Sequence, residues 1–185
     1  SFTSGSASRE RPMPAIALDA LARREKDIPL LFNVGDELEV LRAAKIAEEF
    51  DRPAMIVGSG TEFRRLEAVK DTGLALIVPV EFPETPKVQT QAEVEAVGLR
   101  ELMTWEQAPT NLRRLDAAGV TVALTTDKLK KRDDFMKNLR KAIEHGLPED
   151  RALAMLTTVP ASMLGVSDKI KAKGKEGASR LLEAA

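Results

Sequence analysis

Short apolar runs alternate along this chain with segments whose apolar residues recur at helical spacing, and that alternation predicts its architecture. Leu30-Leu31-Phe32-Asn33-Val34 reads as a buried strand, and Gly35-Asp36 then opens a helix over 37–50. Leu38, Leu41, Ile46 and Phe50 form one stripe of that helix, and Asp36 suits its N-cap. Ala54-Met55-Ile56-Val57 is a second strand, Gly58-Ser59-Gly60 a turn, and Thr61 the expected cap of a helix running to Val69. Leu74 to Val80 is a third strand, and Val120 to Thr125 a fourth, introduced by a helix over 111–118 and Gly119.

Between the third and fourth strands the pattern breaks. Pro79, Pro83 and Pro86 mark a long loop, and the segment 93–107 around Trp105 is expected to carry a short strand or helix. After the fourth strand come a helix over 133–144, with Asp133 as its cap, and two short helices, 148–158 and 160–164. The chain thus divides into a flexible N-terminal segment (1–14), an α/β domain (15–168) that opens with a helix over 15–26, and a basic, weakly helical tail (169–185). Strands separated by helices at this spacing make parallel βαβ units with right-handed crossovers. Four units fit the length. They compose either half of an eight-stranded (β/α) barrel, which when whole needs about 250 residues, or an open doubly wound sheet.

Composition narrows the function. The chain has 185 residues, 43% hydrophobic and 31% charged, as a soluble globular domain does. Its 28 basic and 29 acidic residues leave a net charge of -1, which offers no footprint for nucleic acid or an anionic membrane. No apolar run reaches the ~20 residues of a membrane span, and a cytoplasmic or a mature exported protein both fit. With no cysteine and one histidine, thiol chemistry and Cys-ligated zinc are excluded.

Chemistry in α/β folds gathers at the C-terminal ends of parallel strands, and there Thr125-Thr126-Asp127 delivers a carboxylate. Asp127 is therefore the candidate catalytic residue, with capping of the next turn as its structural alternative. The turn Gly58-Ser59-Gly60-Thr61 is either a tight βα connection or a cradle of backbone N–H groups for a phosphorylated ligand. Lys128 begins a basic run, Lys128 to Arg132, that reads as a solvated loop or as a lure for an anionic substrate. His145 precedes Gly146 late in a helix, where imidazoles cap carbonyls. Trp105 is expected to pack rather than to stack on a ligand.

Several of these stretches, in order, resemble the C-terminal half of amidohydrolases related to imidazolonepropionase. They are Ile28 to Val34, Leu41 to Phe50, Ile56 to Gly60, Ala118 to Asp127, Asn138 to Ala142, His145-Gly146-Leu147, Ala152 to Thr157 and Pro160 to Val166. The resemblance spans 28–169 and is most specific at its end: Thr125-Thr126-Asp127, then Gly146-Leu147-Pro148-Glu149, then Pro160-Ala161 to Leu164-Gly165. It implies strands five to eight of a metal-dependent hydrolase barrel acting on amide or ring C–N bonds of a small molecule. Asp127 falls on the family's strand-eight aspartate, which binds a divalent metal, zinc above all, and takes a proton from the attacking water.

The departures from the pattern are as informative. The paired histidines of strand one belong to a half that these residues do not include. Where strand five carries a metal ligand, this chain has Asn33, suited to orienting a substrate but a poor substitute for imidazole. At the end of strand six stand Gly58 and Ser59, which are left with a substrate-binding role. One carboxylate does not make a catalytic zinc site, which takes three protein ligands, so the chain by itself is expected to bind no metal or to bind it incompletely, and to be inactive. The β-rich segment that usually follows the barrel survives only as an echo in Gly174-Lys175. A half-barrel exposes two sheet edges and an apolar inner face, which predicts a homo-oligomer or pairing with a chain that supplies the first half. A non-catalytic assembly or binding module is the alternative function.

Overall fold

A computed structural model of the chain describes residues 28–168 together with Lys171. The N-terminal segment, the helix expected over 15–26 and nearly all of the tail lie outside the described residues.

Four short strands form one sheet: β1 (Leu30–Asn33), β2 (Ala54–Val57), β3 (Ala75–Pro79) and β4 (Val122–Thr125). All pairings are parallel and the order is β1-β2-β3-β4. Each connection therefore steps one strand in the same direction. With right-handed crossovers throughout, that order stacks the helical layer on one face, as in half of a (β/α) barrel. A doubly wound sheet needs a point where the order reverses. None exists among these strands, so the open doubly wound alternative is corrected to the half-barrel.

Register explains where the core lies. Phe32, Ile56, Leu76 and Val122 are consecutive partners across the sheet, with Val78 and Leu124 two residues further on. Ile56 and Leu76 are fully buried, and each contributes about 1.5–3 kcal/mol by leaving water. Against this face pack Val40 and Ala43 of α1 (Glu37–Glu49), Val69 of α2 (Leu66–Asp71), and Leu112 and Leu115 of α5 (Asn111–Ala117). Leu139 and Ala142 of α6 (Phe135–Glu144), and Ala152 and Met155 of α7 (Glu149–Leu156), complete the cluster. The opposite face is covered unevenly. Val57 and Ala123 are buried there, whereas Leu31 is 58% exposed and Asn33 is exposed.

Local chemistry sets the helix ends. Asp36 caps α1 as its position predicts, accepting from the N–H groups of Leu38 (2.9 Å) and Glu39 (2.8 Å). Those bonds, that of Glu39 foremost, hold its carboxyl below the ordinary value. Thr61 does not cap a helix with its side chain: a 3-10 turn, Glu62–Arg65, intervenes before α2. Asp133 likewise lies inside a 3-10 turn, Arg132–Asp134, and α6 begins only at Phe135. The segment after the prolines resolves into α3 (Gln91–Ala96) and α4 (Leu99–Gln107). A capping box between Thr90 and Glu93 starts α3. α8 (Thr158–Met163) closes the described fold, in which no helix is long and apolar enough to cross a membrane.

Candidate functional site at the strand ends

The C-terminal ends of β1, β2 and β4 converge on one side chain. Lys128 lies three residues beyond β4, and its Nζ donates to the carbonyls of Val34 (2.6 Å) and Gly58 (2.9 Å), just past the ends of β1 and β2. Its backbone is left-handed, with φ +64, a conformation that side chains other than glycine and asparagine rarely adopt. The lysine thus bridges three strand ends from a strained position.

Below it lies a buried polar network that organises the loop after β2. Glu62 is fully buried, and its Oε1 accepts from the backbone N–H of Ser59 (2.6 Å) and of Gly60 (3.1 Å). Its Oε2 accepts from Asn111 Nδ2 (2.7 Å), while Asn111 Oδ1 accepts from the N–H of Phe63 (2.8 Å). Thr61 Oγ1 donates to Glu37 Oε2 (2.9 Å). Having one proton, Thr61 must then accept from Ser59 Oγ across their 2.7 Å contact. Arg64 (3.5 Å) and Arg100 (3.4 Å) pair with Glu37, which is itself buried. A Cβ on Gly58 would stand 2.4 Å from Glu62 Oε1, so the carboxylate fits only because residue 58 has no side chain.

This geometry corrects the phosphate reading of Gly58 to Thr61. The N–H groups of Ser59 and Gly60 already hold an anion, and it is the chain's own Glu62. The N–H of Thr61 is directed to Ser59 Oγ at 3.3 Å. No cradle is left for a phosphoryl group.

Asp127 behaves differently. It is exposed, its N–H donates to Thr125 Oγ1 (3.0 Å), and its carboxylate has no hydrogen bond or ion pair with any described residue. Asn33 is exposed at the end of β1 and pairs in register with Val57 of β2. His145 Nδ1 lies 2.7 Å from the Lys141 carbonyl, the C-terminal capping role its position predicts. Trp105 is half-buried and lines a cleft of about 750 Å³ between α6 and the loop 81–85.

A smaller cavity, about 270 Å³, opens at the strand ends themselves. Ser59, Thr61, Glu81, Thr104, Lys128 and Lys130 supply its polar lining, with Pro79, Phe82, Pro83 and Ala108 as apolar wall. Lys130 Nζ bonds Glu84 Oε1 at 2.7 Å. That bond raises the ammonium pKa of Lys130 and lowers that of the Glu84 carboxyl.

The described residues do not complete a ligand set for the divalent metal implied by the family resemblance. Among the described residues no three His, Asp or Glu side chains come together as ligands, and the cation at the strand ends is the Lys128 ammonium. Of the residues singled out from sequence, Gly58, Ser59 and Lys128 are brought together here, Lys128 and Ser59 lining one cavity. Asp127 adjoins Lys128 in the chain, and Asn33 adjoins Val34, whose carbonyl Lys128 holds. Glu62, Asn111 and Glu37 had not been singled out. The Ser59-Gly60-Thr61-Glu62 spacing, that of a capping box, was the available signal.

No protein-family profile matches this chain, and no curated protein matches it. Among solved structures it is similar to an amidohydrolase from Thermotoga maritima MSB8, with a TM-score of 0.60 at 19% sequence identity. The likeness covers 86% of this chain and 38% of that one. The chain thus spans little over a third of the length of the protein it matches, and the fold they share is the parallel α/β half-barrel.

Proposed function

We propose that this chain is the C-terminal half of an amidohydrolase-like catalytic barrel and contributes the strand-end carboxylate Asp127 to a hydrolytic site. The observation that carries the reading is the Asp127 carboxylate, which no described residue partners, two residues past the last strand of a sequentially ordered parallel sheet. Barrels of this kind place reacting groups there, and a carboxylate without an internal partner is free to bind a metal or to take a proton from water. The described residues supply no complete ligand set. The other ligands would come from a chain carrying the first four strands, because a second copy would add only its own Asp127 and Asn33. It would pair with the open edges of β1 and β4 and cover Leu31. The chain alone is then inactive as an amide or C–N hydrolase.

Zinc titration followed by calorimetry, together with the mass of the species in solution, tests this. Zinc should bind at the paired barrel, and Asp127→Ala should weaken it at least tenfold. Binding that is indifferent to Asp127 would sink the reading, whereas a strictly monomeric chain excludes only the pairing of two copies.

A further inference from the structure

The cation that joins the strand ends keeps most of its charge. An ammonium has three donors, and Lys128 gives two of them to the neutral carbonyls of Val34 and Gly58. Neither acceptor is an anion, and no carboxylate among the described residues forms an ion pair with this lysine. The left-handed backbone at Lys128 is the kind of strain that persists where surrounding contacts over-determine a conformation, often at ligand sites. A lysine held in this way has its ammonium fixed at the strand ends, and the residue lines the 270 Å³ cavity that opens there.

The rest of that cavity selects among anions. Lys130 adds a second positive charge, shared with Glu84, and Glu81 on the wall sets one negative charge against them. Backbone N–H groups, which tetrahedral phosphate and sulfate favour, are spent on Glu62. The same lining includes Pro79, Phe82, Pro83 and Ala108, apolar surface that a hydrated inorganic ion would leave uncovered. A group that satisfies both sides has a single carboxylate at one end and a compact apolar body at the other.

We propose that this cavity binds a small organic monocarboxylate, its carboxylate on the Lys128 ammonium and its apolar part against Phe82 and the neighbouring prolines. The proposal rests on the half-barrel reading for the location of the site and adds the class of ligand. It does not require Asp127, so the two can fail separately.

Benzoate is a suitable probe, compared with inorganic phosphate at matched ionic strength. Chemical-shift titration of the intact chain should give saturable benzoate binding, and phosphate at the same concentration should give none. Lys128→Met should weaken benzoate about tenfold, the loss expected for one charge-assisted hydrogen bond. Should Lys128→Met fail to fold, Lys130→Glu decides: it reverses a charge on the cavity without touching the bonds to Val34 and Gly58, and should weaken benzoate about threefold or more. Unsaturable shifts, equal binding of phosphate, or binding within twofold of the unsubstituted chain in whichever lysine variant folds would overturn the proposal.

Discussion

The ends of β2 and β4 lie at the same side of one sheet and solve opposite problems. After β2, the N–H groups of Ser59 and Gly60 and the amide of Asn111 all donate to Glu62. After β4, the Asp127 carboxylate accepts from no described residue. A buried carboxylate with several donors is a structural element, because removing it strands those donors; an exposed one with none has no structural task. The comparison teaches that burial of an acid at a strand end need not mark a reacting group. Here burial marks the scaffold, and Lys128 ties the two regions together through the Gly58 carbonyl.

The sharpest way to break this contrast is to truncate the scaffold acid. Glu62→Ala leaves three donors without acceptors, and each costs about 1–3 kcal/mol when buried and unpaired. Allowing for water entering the vacated space, the loss should be about 3 kcal/mol or more, a fall in Tm of about 6–12 °C for a chain of this size. Circular dichroism melting checks it. A loss below about 1 kcal/mol would mean that the loop after β2 is held by something other than its carboxylate.

Gly58→Ala is expected to come next. The added Cβ would meet Glu62 Oε1 at 2.4 Å, and that oxygen is pinned by two backbone donors and cannot swing aside freely. Overpacking of this kind costs about 1–3 kcal/mol. The double variant Gly58→Ala with Glu62→Ala should cost less than the sum of the two, since removing the carboxylate removes the clash. Strict additivity in denaturant melts would show that Gly58 is needed for another reason.

The same contrast explains what could be read from the chain before its structure. The strands were legible because each is a short apolar run bounded by turn residues: Ala54–Val57 has the bounds its sequence suggests, and β3 is one residue shorter at each end than its apolar run. Asp127 was legible because a strand end plus an acid is a local pattern. Glu62 was not, since charged residues are ordinarily exposed and its partner Asn111 lies 49 residues away. Nor was the reach of Lys128, which spans 94 residues to Val34 and 70 to Gly58. The helices after the proline-rich loop had a usable signal in Thr90 and Glu93, but its proline spacing reads more strongly as loop.

Asp127→Ala carries the smallest expected effect on stability and the most meaning for the comparison. With no bond from its carboxylate to any described residue, truncation removes no internal partner and should change the unfolding free energy by no more than about 0.5 kcal/mol, the range of an ordinary surface substitution. Its backbone N–H keeps the bond to Thr125 Oγ1, so the turn into Lys128 keeps its shape. A loss of 2 kcal/mol or more would place Asp127 among the scaffold acids with Glu62 and remove the ground for assigning it a reaction. Thermal melts of the two alanine variants side by side therefore separate the acid that builds the site from the acid available to act in it.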